Sequence, residues 1–339
     1  MCRQFNSVRR HTEPADIRCQ PAFFMPFTFY RFLSDNTGMT IALFHSKINA
    51  DTARSIGATM EKQGLRVIYI DTSTRNSSAD DTSVQIILPP ESTHVLFFYA
   101  SDEVSRRYYH FYSGFCLGRG LRFLLLDTEG AMDKNDPFIH LATVLTADTF
   151  ESFMISEKIR FNEEEKIRRA KERLLERGIS CFPESFLSVV VSGDIESARL
   201  FLEAGFSPEL RDARGVAALS LAVRSQHPEL VRLLAESGAG INDLSADRGY
   251  SPLMDAVLKG NEEICRILLE AGADVNLASK DGQTALIITA GRGDEILSRL
   301  LYGYGADPEI KDHLGMSASG YANLFKNEKL LALFNTPRS

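Results

Sequence analysis

Three short apolar runs in the first half of the chain end at polar side chains that could do chemistry. Ser46 and Ser101 follow the runs TIALFH and HVLFFYA, and Asp71 closes the run LRVIYID. Continuous apolar runs of this length are typical of strands buried on both faces of a parallel sheet. Ligands of such sheets bind in a crevice at the carboxyl ends of the strands. We therefore expect these three side chains, together with Tyr112, to line a crevice that could hold a nucleotide-like ligand.

The other chemistry-bearing residues form no catalytic or metal-binding pattern in the sequence. The seven histidines occur singly, and the five cysteines lack Cys-x-x-Cys or Cys/His ligand spacing. Gly114, Gly118 and Gly120 follow a helical segment and have no phosphate-binding lysine, so they predict a helix end rather than a phosphate loop. We expect no cofactor and no metal, and we expect the cysteines to be reduced thiols of a cytoplasmic protein.

The apolar runs alternate with segments of helical period, and this alternation positions the candidate crevice. Strands are expected at 40–46, 65–71, 94–100, 122–127 and 142–147, and helices at 50–63 and 101–118. Such an alternation predicts an α/β domain over residues 39–148, with a flavodoxin-like parallel sheet.

One stretch of this domain carries a more specific signal. The run FYSGFCLGRGLRF at residues 111–123 resembles the pattern F-E-L-G-Y-A-L-G-x-G-K-P-V shared by Toll/interleukin-receptor-like domains and nucleoside deoxyribosyltransferases. In the active enzymes, the glutamate of this pattern attacks or stabilises the sugar carbon as the N-glycosidic bond breaks. Tyr112 takes its place here, or Phe111 if the helix is shifted by one residue, and neither ring can act as a carboxylate. The resemblance therefore implies the fold without the glycosidic chemistry.

The second half of the chain repeats itself. A glycine recurs at spacings of 34, 33 and 33 residues, at Gly215, Gly249, Gly282 and Gly315. Ser251 and Thr284 are typical N-cap residues of a helix that follows the glycine, and Pro252 suits the first helical position. Gly272 suits the left-handed end of the second helix. Because a pair of short helices cannot bury its apolar face alone, the units are expected to stack.

These units resemble the ankyrin repeat, whose pattern runs D-G-x-T-P-L-H-x-A, then V-x-x-L-L, then G-A-D-x-N. The resemblance covers residues 182–335 and implies an all-α solenoid of about five units with degenerate end units. The family's histidine is replaced by Ser220, Met254 and Ile287. Since that histidine ties adjacent loops together, the stack is expected to be somewhat less rigid.

The ankyrin resemblance also implies where a protein partner would bind. In the family, the residues that flank the repeat glycine and those near the end of the first helix project from the concave side. In this chain these residues are Arg214, Val216, Arg224, Arg248, Tyr250, Leu258, Lys259, Asp281, Gln283 and Arg292. Tyr250 and Leu258 are apolar at positions that need not be apolar, which favours a role as interface anchors. The alternative is that their side chains pack against the neighbouring repeat.

Two further segments complete the predicted organisation. Residues 1–38 lack a helical or strand period, and are expected to be a disordered extension or to precede a translation start at Met39. Residues 149–181 are expected to form a charged helical connector. The narrow apolar stripe by which this helix would dock consists of Ile159, Ile167, Ala170 and Leu174.

The charge distribution limits the kinds of partner. Net charge is −7, and 22 acidic against 15 basic residues follow residue 181, which argues against nucleic acid or an anionic membrane as partner of that half. We interpret the protein as a non-catalytic adaptor or scaffold that binds a protein through its repeats, with possible self-association through the α/β domain. The alternative is a nucleotide-directed N-glycosidase or deoxyribosyltransferase that the repeats regulate or target.

Overall fold

The computed structural model describes residues 38–45, 49–72, 88–99, 103–128, 130, 132 and 139–336. The chain divides into two compact units, Met1–Ile159 and Arg160–Ser339. Ser46, Ser101 and, apart from Gly38, the expected extension 1–38 lie outside the described residues. The domain boundaries expected from the sequence remain predictions.

A parallel sheet forms the centre of the first unit. The described strands are β1 (Thr40–His45), β2 (Arg66–Asp71), β3 (His94–Phe98), β4 (Arg122–Asp127) and β5 (Thr143–Thr146). Their order is β2-β1-β3-β4-β5, and each neighbouring pair is parallel. This order confirms the flavodoxin-like sheet expected from the apolar runs. It reverses between β1 and β3, whose carboxyl ends are His45 and Phe98.

Two helices connect strands of this sheet. Helix α1 (Ala50–Lys62) joins β1 to β2, and helix α2 (Glu103–Arg119) joins β3 to β4. Tyr69 of β2 lies directly over α1, because a Cβ atom added to Gly57 would meet the Tyr69 hydroxyl at 2.0 Å. Glycine at this position therefore allows the helix to approach the sheet closely.

A polar contact anchors the next helix, α3 (Ala147–Glu176), to the sheet. Glu157 of α3 is 2% exposed, and its Oε1 atom lies 2.9 Å from Nε2 of His94 and 3.0 Å from Nη1 of Arg122. Both partners stand at the first residue of a strand. Because each unpaired charge would be costly to bury, the contact fixes this end of α3.

The apolar stripe expected along α3 is wrong at one residue. Ala170 and Leu174 are buried, and they belong to the apolar core of the second unit. Ile159 is instead 61% exposed and does not belong to that core.

The second unit continues with short helices in five consecutive pairs. The first helices of the pairs are α4 (Pro183–Ser192), α6 (Ala218–Arg224), α8 (Pro252–Lys259), α10 (Ala285–Arg292) and α12 (Ala318–Leu324). The second helices are α5 (Ile195–Glu203), α7 (Pro228–Glu236), α9 (Glu262–Glu270), α11 (Glu295–Gly303) and α13 (Glu328–Phe334). Each first helix packs against the first helix of the next pair, so the pairs are stacked as expected.

The helix ends follow the expected capping chemistry. The hydroxyls of Ser251 and Thr284 each accept a backbone N–H three residues later, at 3.3 Å. Pro252 is the first residue of α8, and Gly272 follows α9 with a φ of 90°. These features confirm that the repeat period read from the sequence is a period of helix pairs.

Candidate functional site

The turn around each repeat glycine, which we call a finger, is closed by a side chain. The Oδ1 atom of Asp212 accepts the N–H of Val216 at 2.9 Å, and that of Asp312 accepts the N–H of Met316 at 3.0 Å. Sequence reasoning missed this role. The signal was present, because an Asp or Ser stands three residues before the glycine in three of the four fingers.

Arg224, which the sequence analysis assigned to partner binding, links two neighbouring repeats. We call its contacts with the next repeat the Arg224 tie. Its Nε atom donates to Asp255 at 2.7 Å, and its Nη1 atom donates to Asp247 at 2.7 Å. Its Nη2 atom also donates to the hydroxyl of Ser245 at 3.1 Å. The end of α6 therefore contacts both the next finger and α8, and these three parts border the same surface.

The contacts of Arg224 also influence the pKa of two carboxyl groups. Hydrogen bonding from Arg224 holds the pKa of Asp247 well below its usual range. Asp255 is 2% exposed, and burial raises its pKa although Arg224 opposes the shift. The guanidinium thus offsets the cost of burying Asp255 and is not available to a partner.

Val216 corrects the predicted partner-binding set. Its side chain is fully buried in the core of the stack, because the hydrogen bond from its N–H to Asp212 fixes the finger with this residue turned inward. Val216 therefore cannot contact a partner.

The two expected apolar anchors are packing residues as well. Tyr250 and Leu258 are both half-buried and lie against the core of the stack. The Tyr250 hydroxyl donates to Oε1 of Gln283 in the next finger at 3.0 Å. The structure thus places Tyr250, Leu258 and Gln283 at the junction of two repeats, which was the alternative considered for the first two.

The remaining predicted residues are exposed and mostly basic. They are Arg214, Arg248, Lys259, Asp281 and Arg292. Arg214 pairs with Asp212 of its own finger at 3.0 Å. Arg292 donates to the carbonyl oxygens of Val257, at 3.4 Å, and of Leu258. The exposed side chains lie on fingers and at the ends of first helices, as the ankyrin resemblance implied.

The predicted crevice of the first unit is only partly described. Asp71 is half-buried and ends β2 next to His45, the last residue of β1. Ser46 and Ser101, which were expected beside it, lie outside the described residues.

Tyr112 does not line an open crevice. It is 4% exposed, and its ring lies 4.6 Å from the ring of Phe44 and 5.4 Å from that of Phe97. The ring therefore fills the space between α2 and the sheet, which corrects the prediction that Tyr112 borders a ligand. Phe111, the alternative position for the family glutamate, is 42% exposed, and its ring lies 5.5 Å from the ring of Tyr112.

The described part of the chain was also compared with the requirements of a metal site and of a reactive thiol. No three of its His, Cys, Asp and Glu side chains come together as a metal site would require. Burial raises the pKa of the Cys116 and Cys265 thiols to about 12, which leaves them unreactive. None of the described helices is long and apolar enough to cross a membrane.

Comparison with known proteins agrees with the stacked helix pairs. A family model of ankyrin repeats in three copies matches residues 186–279. An ankyrin repeat-containing protein from Treponema pallidum (strain Nichols) is 40% identical over 295 residues, which cover 87% of this chain and 99% of that protein. Because the second unit has only 180 residues, this similarity extends into the first unit.

Proposed function

Since the chain belongs to the family of ankyrin repeat-containing proteins, we propose that it is an adaptor that binds another protein through the concave face of its repeats. The concave face is the surface formed by the fingers and the ends of the first helices. Ankyrin repeats support a protein-interaction role. The observation that carries the proposal is the set of exposed charged side chains on this face, such as Arg248 and Lys259, which the packing of the stack does not use.

The α/β unit acts in this proposal as a second, non-catalytic module. Glycosidic chemistry of the resembling enzymes needs a carboxylate beside the sugar, and the corresponding position holds Tyr112. Burial of the Tyr112 ring against Phe44 supports a packing role for this residue. Self-association through this unit remains part of the proposal.

Affinity capture tests the adaptor role. The full-length chain is immobilised and exposed to a cell extract, and bound proteins are identified by mass spectrometry. We expect at least one protein whose capture falls about tenfold when Arg248→Ala and Lys259→Ala are combined, because interface residues of this kind contribute on the order of 1.4 kcal/mol. The matched control combines Arg232→Ala and Arg299→Ala, which are exposed on second helices. Equal capture by both variants for every bound protein would contradict binding through the concave face.

An activity assay tests the non-catalytic role of the first unit. The purified chain is incubated with nicotinamide and deoxynucleoside substrates, and release of the free base is followed by chromatography. We expect no release above the uncatalysed rate. Release that disappears in Asp71→Asn would establish the enzyme alternative instead.

A further inference from the structure

The concave face is locally basic although the repeat half of the chain is acidic. After residue 181 the chain has 22 acidic and 15 basic residues. Between the fingers of Gly249 and Gly282, however, the exposed side chains include four cations. These are Arg248, Lys259, Lys280 and Arg292, which we call the basic cluster. Lys280 was not among the residues singled out from the sequence.

Two members of the basic cluster meet at the ends of first helices. Lys259 is the last residue of α8, and Arg292 is the last residue of α10. Arg292 reaches back across the stack and donates to the carbonyl oxygen of Leu258, the residue before Lys259. Both positive charges therefore lie at the carboxyl end of α8, where the helix dipole favours them.

The other two members lie on neighbouring fingers. Arg248 stands beside Gly249, and the Nζ atom of Lys280 donates to the carbonyl oxygen of Ala246 at 3.4 Å. The stem of Lys280 crosses the finger so closely that a Cβ atom on Gly249 would meet its Cγ atom at 2.6 Å. Lys280 therefore lies across the finger that carries Arg248.

The nearby carboxylates offset only part of the charge of the basic cluster, although the charge of Arg248 acts on Asp255. Asp247 and Asp255 are both bound by Arg224. Among the described residues, no carboxylate lies within salt-bridge distance of the cluster's four cations. Asp281 is the exposed carboxylate on the adjoining finger, which leaves the cluster with a net positive charge.

We propose that the segment of the partner protein that binds this face is acidic, and that its carboxylates contact the basic cluster. This inference rests on the proposed function and names the chemistry of the partner. Arginine and lysine offer charge-assisted hydrogen bonds to carboxylates, and a complementary charge raises both the association rate and the specificity.

A polypeptide fits the face better than a nucleic acid does. Four cations can match the few carboxylates of a short acidic segment. A duplex would extend its phosphates over the rest of a repeat half with a net charge of −7, and the resulting repulsion disfavours it.

Peptide display on phage tests the inference with random peptides as the probe. The full-length chain is panned at about 0.1 M NaCl, and binding of the selected peptides is then measured by fluorescence anisotropy. We expect the selected peptides to be enriched in Asp and Glu. Their affinity should fall at least about tenfold at about 1 M NaCl, because the Debye length falls from about 10 Å to about 3 Å.

Matched charge variants locate the binding surface. Arg248→Gln, Lys259→Gln and Lys280→Gln combined should weaken the selected peptides about tenfold or more. Arg199→Gln, Arg232→Gln and Arg299→Gln combined remove the same charge from second helices and should change the affinity by less than about twofold. Thermal melting by circular dichroism checks that both variants fold. Lys259→Gln alone, at an exposed helix end, should also weaken binding of the selected peptides.

The outcomes separate this inference from the proposed function. Selected peptides without acidic enrichment, or acidic peptides that bind both charge variants equally, would overturn the acidic partner. Displacement of the peptides by a duplex oligonucleotide at equal phosphate and carboxylate concentration would overturn the choice of a polypeptide. If no peptide is enriched over beads without the protein, the inference is also overturned, while the capture experiment decides the proposed function independently.

Discussion

Single residues decide how the repeats are tied together in this chain. The family's histidine position is occupied by Ser220, whose buried hydroxyl has no hydrogen-bond partner among the described residues. Arg224, four residues later, instead joins the next finger through Asp247 and the next first helix through Asp255. These ion pairs therefore join the adjacent repeats. Replacement of the family's histidine was expected to weaken that connection.

Replacing Arg224 with methionine tests this tie. Asp255 is 2% exposed and would keep a buried charge without its partner. We expect Arg224→Met to reduce the free energy of unfolding by about 3 kcal/mol, measured by urea denaturation of the full chain. Arg214→Met, which breaks an exposed pair with Asp212, should cost about 0.5 kcal/mol or less.

A double substitution separates the lost tie from the buried charge. Adding Asp255→Asn to Arg224→Met removes the uncompensated carboxylate, so part of the lost stability should return. A double variant less stable than the single one would show that Asp255 has another favourable role.

Tyr112 and Phe111 provide a second test at the level of the residue. Tyr112→Glu restores the glutamate of the resembling enzymes but places a carboxylate between the rings of Phe44 and Phe97. We expect a loss of about 3 kcal/mol in the free energy of unfolding and no base-releasing activity. Phe111→Glu, on the exposed side of α2, should change stability by about 0.5 kcal/mol or less. Base release by Tyr112→Glu would show that the first unit retains a competent site.

At the scale of elements, the short connection inside each helix pair is a recurring constraint. Between first and second helix the chain adopts a positive φ, with glycine in the first, third and fourth pairs at Gly193, Gly260 and Gly293. In the second and fifth pairs the same position holds Gln226, with a φ of 62°, and Lys326, with a φ of 52°. A side chain in this left-handed conformation costs on the order of 1 kcal/mol.

Introducing a glycine at this position and removing one should change the free energy of unfolding in opposite directions. Gln226→Gly should raise the free energy of unfolding by about 0.5 kcal/mol, because relief of backbone strain exceeds the entropy cost of glycine. Gly260→Ala should lower it by about 1 kcal/mol, although open space surrounds the new methyl group. Thermal melting of the two variants against the parent chain measures both effects. Shifts of the same sign would show that contacts rather than backbone conformation dominate.

The elements could be predicted from the sequence more fully than the surfaces could. Apolar runs and capping residues such as Ser251 act within a few positions along the chain, so strands, helix pairs and helix ends were correctly placed. The sequence period did not show which finger residues turn inward, and Val216 was therefore assigned to the surface. The Arg224–Asp255 contact joins residues 31 positions apart, and no local pattern indicates it.

At the scale of the whole stack, neighbouring repeats are joined by polar contacts that recur at the repeat period. The Oδ1 atom of Asn242 accepts the N–H of Asp274, and that of Asn276 accepts the N–H of Asp307, both at 2.8 Å. Such contacts add to the apolar core between adjacent pairs, and stability of a repeat array is approximately the sum of such nearest-neighbour terms. Aspartate side chains add hydrogen bonds at helix starts and in the fingers, and these bonds make the stack sensitive to acid.

Four aspartates of the stack have pKa values below their usual range, namely Asp194, Asp212, Asp247 and Asp312. For Asp312, burial acts to raise the pKa, but hydrogen bonds from the N–H groups of Met316 and Leu314 and from the Tyr321 hydroxyl outweigh it. A carboxyl group with a lowered folded-state pKa stabilises the fold above its unfolded value of about 3.9. This stability is lost as the pH falls through the lowered value. The raised pKa of Asp255 has the opposite effect, and it offsets only part of the loss.

We therefore expect the melting temperature of the full chain to fall between about pH 5 and about pH 2. Asp312→Asn should melt at a lower temperature at neutral pH and should show a shallower decline in acid, because one of the titrating groups is gone. Asp281→Asn, on the neighbouring finger and exposed, is the matched control and should follow the parent profile. The measurement is a series of circular dichroism melts across this pH range. An Asp312→Asn profile parallel to that of the parent would mean that the finger carboxylates do not link the stability of the stack to pH.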